Sequence, residues 1–282
     1  MIKNVLKGIV IGISNILPGV SGGTMAVSMG IYDKLIHCVN HLLKEFKKNV
    51  LFLFPIAIGM VIAIIASAFG IDYLFETYPV QTNLLFIGLI LGGLPTIYDK
   101  VKGVTVRPGH ILCVVLLFLL VIGMALLNDK QGGAAVIGTG MMDLVKLFLV
   151  GVIAAATMVI PGVSGSMMLL LLGYYNPILD AIKEFVAALL KWDMEAMAKV
   201  LFLLIPFGIG VIVGIVLIAR LMEFVFEKYP HYAYWSIIGL LLASPIAILM
   251  VGNFPKITLV SVVTGIITLG LGWFIAGKLG EK

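Results

Sequence analysis

Charge is what this sequence of 282 residues has least of. Asp, Glu, Lys and Arg make up 12% of it, against roughly 25% in soluble domains. No stretch is both polar enough and long enough for a water-soluble domain, which excludes a soluble enzyme or a nucleic-acid-binding module as the body of the chain. Cysteine is nearly absent: Cys38 and Cys113 lack metal-ligand spacing and read as small apolar fillers. The histidines His37, His41, His110 and His231 fall near the ends of apolar runs and receive no chemistry, so neither a metal nor a cofactor is expected. No acidic residue lies well within an apolar run, which argues against a proton relay through a buried carboxylate. The net charge of +5 suits a protein facing anionic lipid and is no evidence for nucleic acid. A cleavable signal is not expected either, because the first apolar run continues into a motif described below.

Hydrophobic residues are abundant, at 61%, and they are ordered into runs. Six runs of about twenty residues, near 50–71, 82–98, 110–127, 200–220, 232–251 and 257–276, predict membrane-spanning helices. Two other apolar regions, 5–37 and 144–180, are broken in the middle by Pro-Gly-Val-Ser-Gly, at 18–22 and again at 161–165. The pieces on either side run to roughly a dozen residues, or about 18–20 Å of helix, too short for a hydrocarbon core of about 30 Å. Each broken region is therefore expected to enter the membrane, turn at the motif and return to the same side.

The motif belongs to a longer internal repeat. Lys3, Gly8, Pro18, Ser21, Gly30 and Tyr32 match Lys146, Gly151, Pro161, Ser164, Gly173 and Tyr175 at an offset of 143. Pro55, Gly59, Glu76, Tyr78, Pro79 and Gly88 then match Pro206, Gly210, Glu227, Tyr229, Pro230 and Gly239 at 151, which implies an eight-residue insertion in the second copy. The expectation is an all-α polytopic membrane protein: one membrane domain over 1–282, with a first repeat at 1–127 and a second at 141–277. Each repeat is one re-entrant helical hairpin plus three transmembrane helices. Three crossings per half invert the second half relative to the first. With both termini cytoplasmic, most of the 19 Lys and Arg lie inside, including Lys7 and the cluster Lys44, Lys47 and Lys48.

Non-helical backbone at membrane depth survives only against protein or a wet cavity, because an unpaired polar group there costs several kcal/mol. Pro18 and Pro161 stop the incoming helices. The free N–H groups at the start of the outgoing helices, with the hydroxyls beside them, make a site for an anion. The residues expected to bind it are Ser21, Gly22, Gly23, Thr24, Ser164, Gly165 and Ser166. Inverted repeats bring two such sites together near the midplane, an arrangement found in transporters.

With their spacing, these residues carry a resemblance. PGVSGGT six residues before Gly30-Ile31-Tyr32, and PGVSGS six residues before Gly173-Tyr174-Tyr175, resemble the bacterial polyprenyl-phosphate transporters, over nearly the whole chain. The resemblance implies a flippase of the bacterial cytoplasmic membrane that returns undecaprenyl phosphate from the outer to the inner leaflet, in the service of cell-wall biogenesis. One departure is that Ser14-Asn15 stands where family members often carry an acidic residue.

Other residues are candidates for supporting roles. Lys3 and Lys146 lie at the openings of the hairpins and, with Arg107 and Arg220, are candidates for attracting phosphate; the alternative for all four is interfacial anchoring. Glu76 and Glu227 before Tyr-Pro are candidate gate or coupling groups, or loop caps. Ser14, Asn15 and Thr157 are candidates for holding a coupling ion, sodium being one and protons another, while Asp33 and Asn176 read as end caps. Two rival functions remain at this level. One is an undecaprenyl-diphosphate phosphatase-like membrane enzyme, which needs an arginine clamp and carboxylates that these motifs lack. The other is a small-anion transporter. The partners expected are a polyprenyl-phosphate lipid and membrane lipids; the sequence says nothing of oligomeric state.

Overall fold

Backbone amides in so apolar a chain find partners only within helices, and helices are what it forms. The computed structural model describes residues 1–16, 20–66, 72–127, 135, 137, 138, 140–252, 254 and 257–280; Pro18 and Gly19 of the first motif lie outside the described residues. The first half comprises α1 (Ile2–Ile16), α2 (Gly22–Ser28), α3 (Tyr32–Asn40), α4 (Phe46–Ala66), α5 (Asp72–Thr77), α6 (Pro79–Val101) and α7 (Pro108–Leu127). The second comprises α8 (Met141–Val159), α9 (Gly165–Leu171), α10 (Tyr175–Lys191), α11 (Met194–Lys228), α12 (Pro230–Val251) and α13 (Leu259–Leu279). No strand occurs among the described residues.

Apart from α11, the helices of the two halves correspond one to one. α10 has 17 residues against 9 in α3, so the eight-residue insertion is two extra turns of α10. α11, at 35 residues, covers the positions that correspond to both α4 and α5. Tyr78 and Tyr229 adopt nearly the same backbone angles, φ −129°, ψ 52° and φ −134°, ψ 52°, and each is followed by a proline in the first turn of the next helix.

Seven described helices are long and apolar enough to cross a membrane: α4, α6, α7, α8, α11, α12 and α13. Six of them are the runs expected from sequence. The seventh, α8, corrects the expectation of half-helices a dozen residues long. It starts at Met141 behind Gly140 and has 19 residues, about 28 Å. The outgoing pieces are shorter than expected, with 7 residues each in α2 and α9. They end where Gly30 (φ 67°) and Gly173 (φ 77°) take up left-handed angles that side chains disfavour. Leu112, Leu116 and Leu119 of α7 and Ile266, Ile267 and Phe274 of α13 face outward. In water such a surface drives association; against lipid tails it is at equilibrium, and the chain is a multi-pass membrane protein.

Glycines set the packing, and they do so twice. A Cβ on Gly8 would run into Ile56 O, and one on Gly59 into Val5 O; in the second half the same collisions occur between Gly151 and Phe207 O, and between Gly210 and Phe148 O. These four contacts correspond to one another under the offsets of 143 and 151. Along the α1–α4 seam, Val5 meets Gly59 while Gly12 meets Met60 and Ala63, so the helices run parallel; Phe148 meeting Gly210 and Val152 meeting Gly214 make α8 and α11 parallel as well. The remaining spans pair across the halves. Gly265 packs on Leu84 and Val80 while Gly92 packs on Trp273 and Ala276, so α6 runs parallel to α13. Gly109 packs on Tyr232 and Gly239 on Val114, so α7 runs parallel to α12. The short helix α2 is buried along its length, and Met25 and Val27 of α2, with Met29 and Ile31 after it, belong to the same core cluster as Ile90, Ala219 and Leu241.

Lys7 departs from the charge reading. It was expected at the cytoplasmic surface, yet it is fully buried.

Candidate functional site

Both motif serines begin a helix. Ser21 (φ −109°, ψ 125°) and Ser164 (φ −94°, ψ 121°) are extended, as N-caps are, and their hydroxyls accept from Thr24 N at 3.4 Å and Met167 N at 3.3 Å. Ser164 Oγ lies 2.9 Å from Ser166 Oγ. Upstream of the first loop, Asn15 turns back so that its Oδ1 accepts from Gly22 N at 3.2 Å.

The two loops meet. Ser21 Oγ donates to Ile160 O at 3.4 Å, and Gly162 N donates to Thr24 Oγ1 at 2.6 Å. Tyr32 OH donates to Val159 O at 3.1 Å, which ties the end of α8 to α3. Gly23 lets the backbones approach: a Cβ there would lie 2.7 Å from Val159 O and 3.1 Å from Pro161 N. Ser21, Gly22, Gly23, Thr24, Ser164, Gly165 and Ser166 are all buried. Of the groups that the sequence assigns to an anion, Ser21 Oγ and Thr24 Oγ1 are thus hydrogen-bonded across to the other loop, while Gly22 N and Ser164 Oγ are bonded within their own. Two turns of helix carry little macrodipole, so whatever affinity this place has for an oxyanion comes from hydroxyls and amides.

The supporting candidates are dispersed. Lys3 is exposed, with Nζ 3.5 Å from Gly280 O. Lys146 is exposed and paired with Asp143 at 3.3 Å. Arg107 and Arg220 are exposed, as is Glu76; Glu227 is exposed and lines a cavity of about 240 Å³ with Asp33, His37, Glu223, Phe226 and Tyr234. Ser14 is buried and donates to Val10 O at 2.7 Å, and Thr157 donates to Ile153 O and Ala154 O at 3.0 and 2.8 Å, so both bond back to their own helices. Asp33 and Asn176 do not cap: the N-cap positions are Ile31 and Tyr174, without side-chain caps, and Asp33 Oδ2 instead accepts from Tyr234 OH at 2.8 Å. A larger cleft, about 780 Å³, opens beside α2 at the Gly30 turn, with Asp33, Thr96, Asp99, Lys100 and Tyr234 among its polar lining residues.

Sequence reasoning passed over one cluster. His37 and His41, one turn apart on α3, both face Glu223 of α11. Their i, i+4 spacing was a readable signal; the carboxylate, nearly two hundred residues away, was not.

Comparison with known proteins agrees with the motifs. The VCA0040-like family, described as undecaprenyl phosphate translocase-like, matches residues 11–266. A polyprenyl-phosphate transporter of Staphylococcus aureus (strain NCTC 8325 / PS 47) is 29% identical over 286 residues, covering 99% of this chain and 95% of that protein. A polyprenyl-phosphate transporter of Vibrio cholerae serotype O1 is 27% identical over 266 residues, covering 89% and 76%. No solved structure matches.

Proposed function

The chain belongs to the undecaprenyl phosphate translocase-like family, and from that premise we propose that it is a transporter, not an enzyme, that returns undecaprenyl phosphate from the outer to the inner leaflet of the bacterial cytoplasmic membrane. The observation that carries the reading is the meeting of the two motif loops through Ser21, Thr24, Ile160 and Gly162. A bare phosphate faces a Born cost of order 20 kcal/mol per charge in a medium like hydrocarbon. Hydroxyls and amides from both loops replace its water, while the polyprenyl tail stays in lipid. Ser21, Gly22, Gly23, Thr24, Ser164, Gly165 and Ser166 hold the head when the loops part. The cleft beside α2, with Lys100 on its wall, is the passage between the loops and the cytoplasmic leaflet.

Two inverted repeats with re-entrant hairpins fit the helix directions. α1 and α4 run parallel, so the chain from α1 to α3 starts and ends on one side; α8 and α11 repeat this in the second half. α6 runs parallel to α13, and α13 follows α12 after a short connection, which sets α6 opposite to its counterpart α12. Alternating access then follows from rocking one half against the other. Lys3, Lys146, Arg107 and Arg220 attract the phosphate head at the two surfaces, and Glu76 and Glu227 act at the gates. Ser14, Asn15 and Thr157 are the place for a coupling ion.

Leaflet-resolved labelling of undecaprenyl phosphate in proteoliposomes tests the proposal. The wild type should deplete the donor leaflet faster than empty vesicles, and the double variant Ser21→Ala/Ser164→Ala should not, while eluting as a folded species. Equal rates for wild type and empty vesicles would reject transport. Single cysteines at Gly138 and Lys191 should both be labelled from outside; labelling from opposite sides would reject the topology.

A further inference from the structure

His37 Nδ1 and His41 Nδ1 lie 3.4 and 3.3 Å from the same atom, Glu223 Oε1. The candidate ligand atoms of all three residues fall within 4.8 Å of one another. A zinc ion bonded to imidazole nitrogen and carboxylate oxygen at about 2.0–2.1 Å in a tetrahedron sets neighbouring ligands about 3.3 Å apart. Both N···O separations already match that edge.

The surroundings prepare the carboxylate for this role. Asn40, between the two histidines in sequence, donates through Nδ2 to Glu223 Oε2 at 2.8 Å and to Ala219 O at 2.8 Å. One carboxylate oxygen is thereby engaged and the other is turned to the imidazoles, as outer hydrogen bonds commonly orient a metal's ligands. The two rings stack, with centroids 4.4 Å apart and planes 22° apart. Two imidazolium cations so placed repel; two neutral rings sharing one cation do not. Without a metal, His41 Nδ1 also lies 3.2 Å from His37 O; with one, that nitrogen turns its lone pair to the ion. The cavity of about 240 Å³ beside Glu223 and His37, which Asp33 and Glu227 also line, has room for a water as a further ligand and adds negative potential.

We infer that His37, His41 and Glu223 form a site for one divalent transition-metal ion of the zinc type. The ion joins the return arm of the first half to the long helix of the second, so it clamps the two halves in the arrangement seen here. This inference does not rest on the transport reading, and its test contains no lipid substrate.

Protein purified without a polyhistidine tag and freed of metal is titrated with zinc by calorimetry, and bound zinc is counted by elemental analysis. One zinc per chain is expected. His37→Ala and Glu223→Gln each weaken binding by about 100-fold or more, and Asn40→Ala by about 10-fold. His231→Ala leaves binding unchanged. Zinc raises the thermal unfolding midpoint of the wild type and not that of His37→Ala. The His37 side chain is 52% exposed, so the alanine variant keeps the fold, which circular dichroism checks. Absence of stoichiometric binding by the wild type would overturn the inference, as would binding that survives both His37→Ala and Glu223→Gln.

Discussion

Two glycines of α11, two residues apart, face opposite environments and should answer the same substitution with opposite signs. A Cβ at Gly210 would collide with Phe148 O and lie 2.9 Å from Phe148 C and 3.1 Å from Val152 N. All three atoms are backbone of α8 and cannot swing aside, so α8 and α11 must move apart along their whole seam. Overpacking of this kind costs about 1–3 kcal/mol. A Cβ at Gly208 would meet nothing within 4 Å, and alanine there brings only its higher helix propensity, up to about 1 kcal/mol. The propensity gain is common to both sites, so Gly210→Ala and Gly208→Ala should differ by about 1–3 kcal/mol, with the wild type between them. Unfolding titrations in mixed micelles, followed by circular dichroism, measure the difference. The corresponding change at Gly59, whose Cβ would meet Val5 O and lie 2.8 Å from Ile9 N, should reproduce the cost in the first half. Equal stabilities for the Gly208 and Gly210 variants would refute the close parallel packing of α8 on α11, and with it the contact pattern that relates the two halves.

Thr24→Val keeps the side-chain shape but removes the acceptor for Gly162 N, leaving a buried amide unpaired; it should lower stability by about 1–3 kcal/mol, with Thr24→Ser restoring most of it in the same unfolding titration. Ser164→Ala removes a cap and should cost about 1 kcal/mol, read as faster backbone hydrogen exchange confined to α9. Lys146→Ala removes an exposed pair and should change stability by less than about 1 kcal/mol. Its test is kinetic: if Lys146 attracts the phosphate head, the proteoliposome transport rate falls and becomes less sensitive to salt.

What the sequence disclosed was local or periodic. The turn chemistry of Pro-Gly-Val-Ser-Gly places the starts of α2 and α9 directly after Ser21 and Ser164, as the N-cap preference requires. The change of offset from 143 to 151 locates the insertion, and α10 is longer than α3 by that number of residues. Hydropathy gives six spans directly but underestimates α8, because a glycine-rich entrance and a motif break make a helix of 19 residues look like one of a dozen. What the sequence concealed depends on which faces meet. That Lys7 is buried depends on what packs around α1, and nothing within α1 states it. The pairing of α6 with α13 and of α7 with α12 follows from the crossing of the halves, and the meeting of Glu223 with His37 and His41 follows from the docking of α3 on α11.

The contact between the loops also bears on how a phosphate leaves as well as how it binds. In the observed arrangement donors of both loops have neutral partners, with Gly162 N on Thr24 Oγ1 and Ser21 Oγ on Ile160 O. A neutral hydrogen bond contributes about 0.5–1.5 kcal/mol net, and one to a charged group about 1.5–3 kcal/mol. Exchanging two of the first kind for two of the second favours the phosphate by only about 2–3 kcal/mol, before any cost of parting the loops. That is the range in which two conformations exchange with both populated. A site whose donors had no partner in the empty state would hold its anion too tightly to release it into the second leaflet. Under the proposed function, the loop-to-loop hydrogen bonds are therefore the competitor that permits release. A variant that loosens the contact between the hairpins without removing a phosphate donor, such as Tyr32→Phe, which loses the bond to Val159 O, should retain phosphate binding, in the extreme bind more tightly, and yet transport more slowly. Weaker binding by that variant would refute the view that the bonds between the hairpins compete with the phosphate.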